Sequence, residues 1–446
     1  MRSKDPRIVS LRAVRKATHL SGKVARKSAS ILERVEHKTS RVIINKAGSI
    51  TGEENISINH FMHHTFPYLA PVHPALPEVG QKPSVTVFAF LDPKGFYGGI
   101  ATLLLVAAEL ANKLGYDLRV AQTTGYSKKT DVLKFLSANG IEVSPDRYST
   151  LDLSLRTPDH FAYLPLHPDD VMVVSAWWDA QVAAQLPLKN KFVYLIQDYE
   201  PIFYNNSDAQ CFADQTYYTN KFIPLCNTEL LYDFFAEQGY DYIKQTATWF
   251  EPAPAPRVSS NSPTKSSAST KKLFLYGRPS VHRNLFFSAV KALDLAFSSN
   301  ESLRTGGWQI FCAGQADIPS IKLSSGHVIK NLGKMNLDEY YSFAASIDVA
   351  VSPMLAPHPN YPTLELASLG AMVVSTKYKT KQDLSRYSSN ILMAEPTVED
   401  MAQKIVDACS TSNTTRQANA ASTNIGSDWA KNLDKPLDAV LKKLQV

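Results

Sequence analysis

Cysteine, long apolar runs and a signal-peptide pattern are scarce or missing in this sequence. Its 446 residues include only four cysteines, which stand far apart without a CxxC pair or a histidine at metal-ligand spacing. This excludes a disulfide framework and favours a reducing compartment. No stretch approaches the roughly 20 apolar residues of a membrane-spanning helix, and the start, MRSKDPRIVS, lacks the apolar core of a secretory signal. We therefore expect a soluble, cytoplasmic protein.

Familiar nucleotide and metal motifs are also absent. The chain contains neither GxGxxG nor GxxxxGK[ST], so a standard dinucleotide-binding fold or P-loop is not supported. No Asp-x-Asp triplet occurs anywhere in the sequence. We therefore predict no cofactor and no metal ion.

The net charge of +6 is concentrated at one end of the chain. Residues 1–49, the basic head, hold 13 Lys or Arg against three acidic residues, a local charge of +10; residues 50–446 hold 34 basic and 38 acidic residues, or −4. The acidic body gives no reason to expect nucleic acid as a partner. The head has apolar residues at partly helical spacings, which suits contact with the anionic inner face of a plasma membrane and a solvated tail equally well.

The remaining chain divides by composition. Residues 60–83 are rich in Pro and His and predict a connecting arm rather than a metal site. Short β-branched runs then alternate with helical segments, and a Pro-, Ser- and Thr-rich linker at 251–270 interrupts them. We predict an N-terminal extension and arm at residues 1–83, a first α/β domain at 84–255, a second α/β domain at 271–426 and a closing helix at 427–446.

This alternation indicates an α/β protein with two doubly wound, Rossmann-like domains that face a central cleft. Such domains bind ligands at the carboxyl ends of their strands, where helix N-termini and glycine turns leave backbone N–H groups free. Residues that directly follow a predicted strand are therefore the candidates for chemistry.

Two glycines and three basic residues occupy such positions. Gly98 and Gly99 follow the first strand and open a long helix; they can admit an anion to the backbone, or simply form a tight turn. Arg278 closes the first strand of the second domain, Arg283 lies just beyond, and Lys334 follows a later strand. Such side chains can bind the phosphate oxygens of a diphosphate. A solvated surface arginine is the alternative.

Carboxylates form the third group. Glu365 is predicted in the first turn of an apolar helix, where it can accept hydrogen bonds from ribose hydroxyls or simply complement the helix dipole. Tyr361, one turn earlier, can line the same pocket. Asp198 and Glu200 follow the strand FVYLI and are candidates for acid–base chemistry or for holding sugar hydroxyls, or else are two solvated carboxylates in a loop.

Taken together and in this order, these segments resemble the retaining GT-B glycosyltransferases of glycosyltransferase family 4, and most closely the WsaF-type rhamnosyltransferases. The resemblance covers about residues 84–440. It rests on FYGGI, on FVYLIQDYEP, on LYGRP followed by Arg283 and Asn284, on LGK, and on SPMLAPHPNYPTLELASLG with the following VVST.

The resemblance implies roles for the donor side of the cleft. Gly98 and Gly99 would lie near the donor phosphate, and Arg278 and Lys334 would bind the diphosphate. These two basic residues would then stabilise the departing nucleotide diphosphate.

It also implies that Glu365 holds the nucleotide ribose, that Tyr361 lies beside the nucleotide, and that Asp198 faces the sugar and the acceptor. One departure matters: the wider family has a second glutamate eight positions before the ribose glutamate, and this chain has Pro357 there, followed by His358. WsaF-type proteins share this variation, which leaves the usual sugar-contacting acid unassigned.

We therefore predict a glycosyltransferase that moves L-rhamnose from dTDP-β-L-rhamnose to a saccharide or lipid-linked oligosaccharide acceptor. The product would belong to a bacterial cell-surface polysaccharide such as an O-antigen, a capsule or an S-layer glycan. The resemblance supplies the donor, whereas the residues alone support only a diphosphate ligand. Two alternatives remain: a non-catalytic subunit that binds a nucleotide sugar or polysaccharide, and a sugar-nucleotide epimerase of the same architecture.

Overall fold

The structure is a computed structural model, and it describes residues 55, 57–91, 96, 98–123, 131–154, 156, 161–254 and 270–444. The basic head and most of the predicted linker lie outside these residues. The chain forms two compact units, one built from residues 1–70 and 156–160 and the other from residues 71–155 and 161–446.

The described part of the smaller unit contains one α-helix, α1 (Ile58–Thr65), followed by a short 3-10 helix (Pro67–Leu69). The Ser57 hydroxyl caps α1 by accepting a hydrogen bond from the His60 N–H at 3.2 Å. His60 and His64, one turn apart on α1, contact each other through their Nε2 atoms at 3.0 Å. Where the structure describes the chain, no three His, Cys, Asp or Glu side chains converge as metal ligands.

The larger unit contains two seven-stranded sheets and one two-stranded sheet. Its strands, in chain order, are β1 (Val72–Ala75), β2 (Ser84–Ala89), β3 (Asp117–Gln122), β4 (Tyr148–Asp152), β5 (Ala162–Pro165), β6 (Val171–Val174), β7 (Phe192–Ile196), β8 (Phe222–Asn227), β9 (Thr248–Phe250), β10 (Lys271–Tyr276), β11 (Trp308–Ala313), β12 (Ile321–Lys322), β13 (Val328–Asn331), β14 (Val349–Val351), β15 (Met372–Thr376) and β16 (Ile391–Ala394).

The helices of this unit are α2 (Gly98–Leu114), α3 (Val132–Ala138), α4 (Trp177–Ala183), α5 (Asp208–Gln215), α6 (Glu229–Glu237), α7 (Asp241–Thr246), α8 (Phe286–Ser299), α9 (Glu301–Thr305), α10 (Leu337–Ala344), α11 (Tyr361–Ser368), α12 (Val398–Ser410), α13 (Asn413–Ala421) and α14 (Trp429–Leu441).

Both large sheets are doubly wound, as the alternation of strands and helices predicted. The first has the order β4-β3-β2-β6-β7-β8-β9 and is parallel throughout. The second has the order β12-β13-β11-β10-β14-β15-β16 and is parallel except for β12. Every residue of β2, β6, β7, β8 and β15 is buried, because helices cover both faces of a parallel sheet.

The topology fixes where ligands can bind. In the first sheet the chain moves outward from β2 to β3 and then returns to the other side of β2 as β6; in the second it leaves β10 for β11 and returns as β14. At such a reversal the crossover helices lie on opposite faces and leave a crevice beyond the carboxyl ends of the strands. The loops after β2, β6, β7, β10 and β14 are therefore the parts that can form a site.

The last helix returns to the first sheet rather than extending the second. Trp429, Leu433, Leu437 and Val440 of α14 are buried in the same core cluster as α2 and the strands of the first sheet. At the surface the Lys113 ammonium lies 2.6 Å and 2.8 Å from carboxylate oxygens of two successive turns of α14. The sequence therefore crosses between the two sheets twice. No described helix has the length and apolar character of a membrane span.

An ionic network joins the two halves of the larger unit. The Arg386 guanidinium, on the side of the second sheet, lies 2.7 Å from Glu229 and 3.2 Å from Glu251. The neighbouring Tyr387 hydroxyl donates to Glu251 at 2.7 Å. These contacts join the segment before β16 in the second sheet to the segments that follow β8 and β9 in the first sheet.

Candidate active site

The turn after β2 begins α2 with the two glycines that the sequence singled out. Gly98 has φ of +52°, a conformation that a side chain would strain. The Gly99 carbonyl accepts a hydrogen bond from Gln197 Nε2 at 2.8 Å, and a Cβ at this position would lie 3.1 Å from the same nitrogen. Gln197 also donates to Ser175 Oγ at 2.7 Å, so the start of α2 and the segments after β6 and β7 are tied together. Both glycines are exposed, and their role at a phosphate stays a prediction.

Asp198, which follows β7, meets Arg283, which follows β10. Asp198 is only 6% exposed, and its Oδ2 lies 3.4 Å from Arg283 Nε. The pair is an ionic contact rather than an aligned hydrogen bond, because Nε has no hydrogen-bond partner among the described residues. Burial raises the pKa of Asp198 to about 6, against the opposing effect of the Arg283 guanidinium. The structure thus brings together one residue from each sheet, both of which the sequence selected.

Arg283 is also fixed by an aromatic ring. Its guanidinium lies 4.0 Å from the ring centroid of Phe203, a cation–π contact that restricts its direction. Burial lowers the pKa of Arg283, with Asp198 acting in the opposite direction. The side chain is therefore a fixed positive charge at the facing carboxyl edges.

Arg278 and Lys334 lie at the carboxyl edge of the second sheet. Arg278 follows β10 and Lys334 follows β13, which is two strands away because β11 separates them. Both side chains are exposed. Gly314, in the turn after β11, lies close to the stem of the arginine side chain. A Cβ added to this glycine would lie 2.9 Å from Arg278 Cγ. Two basic side chains at one edge of the sheet suit a diphosphate ligand. The role of Arg278 and Lys334 in binding it remains a prediction.

Glu365 lies in the second turn of α11, not in the first turn as the sequence predicted. The helix begins earlier because Asn360, with φ of +72°, turns the chain and Pro362 fits the first turn of a helix. The partial burial of Glu365 raises its pKa to about 7, and the nearby hydroxyls of Tyr340 and Tyr341 lower it. The carboxyl group lies close to the hydroxyls of these two tyrosines of α10, although the Tyr340 hydroxyl has no hydrogen-bond partner among the described residues.

Tyr361 reaches across to the first sheet. Its hydroxyl lies 2.8 Å from Thr102 Oγ1 on α2 and accepts a hydrogen bond from Asn227 Nδ2 at the end of β8, at 2.7 Å. Burial raises its pKa. In this structure Tyr361 therefore connects α11 to the glycine turn, and its predicted place beside the nucleotide stays a prediction.

Two buried residues near Asp198 were missed by the sequence analysis. Lys381 is 0% exposed, and its Nζ donates to the carbonyls of Met354 at 2.9 Å and His358 at 3.4 Å. Burial lowers the pKa of Lys381 to about 7, with Asp198 acting in the opposite direction. Lys381 lies in the polar run KYKTKQD, which predicts an exposed loop, so no sequence signal indicated its burial. His358 is the second missed residue.

Comparison with known protein families divides the chain into the same two parts as the two large sheets. Residues 86–229 match the N-terminal domain of WsaF, and residues 271–406 match its C-terminal domain. The chain belongs to the WsaF family of GT-B glycosyltransferases. The two matches contain Gly98, Gly99 and Asp198 in the first domain and the predicted diphosphate and ribose residues in the second.

A curated relative and solved structures agree with membership in the WsaF family. The chain is 28% identical over 291 residues to the O-antigen biosynthesis protein RfbC of Myxococcus xanthus. That alignment covers 64% of this chain and 22% of the relative, so the chain spans about a fifth of that protein's length. WaaG, described as a glycosyltransferase involved in lipopolysaccharide biosynthesis, is similar with a TM-score of 0.52 at 14% identity, over 79% of this chain and 99% of WaaG.

A trehalose-6-phosphate protein from E. coli, bound with UDP-2-fluoro glucose, gives a TM-score of 0.53 at 9% identity, over 81% of this chain and 99% of that chain. At these identities the likeness establishes the GT-B fold and no more. It confirms the expected pair of Rossmann-like bodies.

Glu200, the second carboxylate after β7, has a structural position. It is 9% exposed, and its Oε2 accepts hydrogen bonds from the Trp177 backbone N–H at 2.7 Å and the Tyr194 hydroxyl at 2.9 Å. Burial raises its pKa to about 8. The side chain secures the start of α4 against β7.

We expect Glu200→Gln to be more stable than the wild type at pH 8 and similar to it near pH 4.5. Because the folded pKa is about 8 against 4.5 for an unperturbed glutamate, the folded state holds this proton more tightly than the unfolded state. The contribution of Glu200 to stability is therefore complete at low pH and is lost as the pH rises towards 8. The loss is on the order of 3 to 5 kcal/mol in the free energy of unfolding, and glutamine avoids it while keeping an acceptor oxygen.

Denaturant unfolding of both proteins from pH 4.5 to pH 8 measures this difference. Glu237→Gln, an exposed position on α6, is the matched control and should follow the wild type at every pH. A constant difference between Glu200→Gln and the wild type would contradict the burial argument.

Proposed function

We propose that the chain transfers a hexose from a nucleotide sugar to a saccharide acceptor in the synthesis of a bacterial cell-surface polysaccharide, with L-rhamnose from dTDP-β-L-rhamnose as the sugar and its donor. Membership in the WsaF family carries this proposal. The O-antigen relative in Myxococcus xanthus supports the polysaccharide. The E. coli structure bound with UDP-2-fluoro glucose supports a nucleotide-sugar donor in this fold.

The residues of the cleft have the charges that this reaction needs. The bond between the sugar C1 and the diphosphate oxygen breaks, and negative charge develops on the diphosphate, where Arg278 and Lys334 stabilise it. The acceptor hydroxyl attacks C1 on the face that the leaving group vacates, and its proton passes to a diphosphate oxygen. The products are dTDP and a glycoside of retained configuration. Asp198 faces the sugar, where a carboxylate stabilises positive charge at C1.

The test is a turnover assay with the purified full chain. We expect release of dTDP from dTDP-β-L-rhamnose in the presence of an oligosaccharide acceptor, without added Mg²⁺ and with a chelator present, since the sequence has no Asp-x-Asp triplet. A panel of dTDP-, UDP- and GDP-sugars, with mass and linkage analysis of the product, identifies the donor and the bond. Donor binding without transfer would indicate a non-catalytic subunit, and conversion of the donor without acceptor would indicate an epimerase; either result contradicts the proposal.

We further propose that the basic head holds the enzyme at an anionic membrane surface, where lipid-linked acceptors lie. Its local charge of +10 would attract anionic lipids. Deletion of residues 1–49 should abolish sedimentation with phosphatidylserine-containing liposomes and leave transfer to a soluble acceptor unchanged. Equal liposome binding by the full and truncated chains would contradict this role.

A further inference from the structure

His358 has a buried hydrogen-bond donor that no described residue uses. The residue lies between β14 and α11 and is 6% exposed. Its Nδ1 accepts a hydrogen bond from the Asn360 backbone N–H at 3.0 Å, so Nδ1 carries no proton and the neutral ring is protonated at Nε2. Nε2 has no hydrogen-bond partner among the residues that the structure describes. An unsatisfied buried donor is costly and is rare in folded proteins.

The imidazole of His358 is held neutral and held in place. Burial lowers its pKa to about 3, and the charges of Lys381 and Arg283 lower it further. Lys381 Nζ donates to the backbone carbonyl of His358 at 3.4 Å, so the loop that carries the ring is fixed to a buried amine. The ring is thus a fixed neutral donor near the Arg283 guanidinium and the Lys381 amine.

Asp198 and His358 lie near the same two basic groups, Arg283 and Lys381. Asp198 forms the ion pair with Arg283, and Lys381 acts on its pKa as it acts on that of His358. A sugar hydroxyl both donates and accepts hydrogen bonds, so it matches a carboxylate and an N–H placed in one cluster. A phosphate only accepts, and the Asp198 carboxylate would repel it. The cluster therefore suits a sugar hydroxyl better than a diphosphate.

We propose that His358 is a further donor-site residue, whose Nε2–H donates a hydrogen bond to a hydroxyl of the sugar that the nucleotide carries. This role rests on the proposed function, because it needs a nucleotide sugar in the cleft. Nε2 is buried in this structure, so the proposed contact requires that the donor-bound enzyme exposes Nε2 to the sugar. Lys381 is a positioning residue that holds the backbone of His358.

Two substitutions separate the two nitrogens of the ring. His358→Asn places an amide oxygen near Nδ1, so it keeps the contact with the Asn360 N–H and loses the donor at Nε2. His358→Gln reaches the position of Nε2 with an amide N–H. The matched control is His327→Asn, because His327 precedes β13 at the opposite, amino edge of the second sheet. Thermal unfolding of each variant reports whether the fold is kept.

The experiment measures calorimetric affinity for free dTDP and for dTDP-rhamnose, or for the donor that turns over fastest in the panel and its own nucleoside diphosphate. We expect His358→Asn to bind the nucleotide sugar roughly tenfold more weakly and the nucleoside diphosphate as the wild type does. His358→Gln should keep the wild-type ratio of the two affinities within about threefold, and His327→Asn should change neither affinity.

The other outcomes contradict either the contact between His358 and the sugar or the proposed function itself. Wild-type affinity for the nucleotide sugar in His358→Asn, or an equal loss for both ligands, overturns the contact with the sugar. If His358→Asn does not fold, the test depends on His358→Gln. A fall of tenfold or more, about 1.4 kcal/mol, in its affinity for the nucleotide sugar relative to the nucleoside diphosphate also overturns the contact with the sugar. Failure of the wild type to bind any nucleotide sugar or nucleoside diphosphate instead overturns the proposed function.

Discussion

Arg278→Ala should lower kcat/KM for the nucleotide-sugar donor by about 10² to 10³, with the fold intact. Arg278 is exposed at the end of β10, so its removal leaves no cavity and no unpaired buried group. The loss would come from the transition state, in which negative charge on the departing diphosphate exceeds that of the bound donor. A fall in kcat, beyond any rise in KM, is therefore the expected signature.

Lys334 provides the second charge at the same edge, and the two effects should not add. Arg278→Ala with Lys334→Ala should cost less in total than the sum of the two single losses in free energy, because both side chains act on one diphosphate. Arg304→Ala is the matched control: Arg304 is also exposed and lies on the short surface helix α9, near Glu301 at 3.9 Å. Unchanged turnover in Arg278→Ala would contradict the proposal that the diphosphate binds at this edge of the second sheet.

Most of the fold could be predicted because the two sheets are buried on both faces. A parallel strand covered by helices needs apolar residues at every position, so runs such as FVYLI and FIPLCN stand out, and β7 and β8 occupy these residues. The position of candidate residues followed from the same rule, since polar residues that directly follow such runs lie at the carboxyl edge. Asp198, Arg278 and Lys334 were found in this way.

The contacts between the two sheets could not be predicted from local patterns. Tyr361 looks like the start of an apolar helix, yet its hydroxyl is held by Thr102, 259 residues away, and by Asn227, 134 residues away. The burial of Lys381 depends on carbonyls of a loop 23 and 27 residues earlier. Hydrogen bonds of this kind have no period in the sequence, because tertiary packing alone brings the partners together.

Asp198 and Glu200 are equivalent candidates in the sequence, but the structure gives their carboxylates different partners. Both follow β7 and both are buried, but the chain turns at Tyr199 so that one carboxylate meets Arg283 and the other meets the backbone of α4. A charged partner from the facing sheet marks the residue that can act in the cleft. The backbone contact marks the residue that maintains the first domain.

Asp198→Asn should lower kcat by about 100-fold or more at pH 7.5, at the lower end of what a positioned carboxylate contributes. The substitution keeps the shape of the side chain and an acceptor for the Tyr199 N–H, and it removes the negative charge that we propose faces the sugar. Asp208→Asn, at the exposed start of α5, is the control and should retain full turnover.

The pH dependence distinguishes this charge from a merely structural role. With a pKa of about 6, Asp198 is ionised at pH 7.5 and becomes protonated as the pH falls through 6, so wild-type kcat should fall along this limb and Asp198→Asn should not show it. The contribution of Asp198 to stability has the opposite sign, because its folded pKa lies above the unfolded value near 3.9. That contribution is complete below about pH 4 and is lost as the pH rises through 6. Loss of activity at pH 5.5 with circular dichroism unchanged is therefore expected from Asp198, whereas an acid limb that persists in Asp198→Asn would assign the limb to another group.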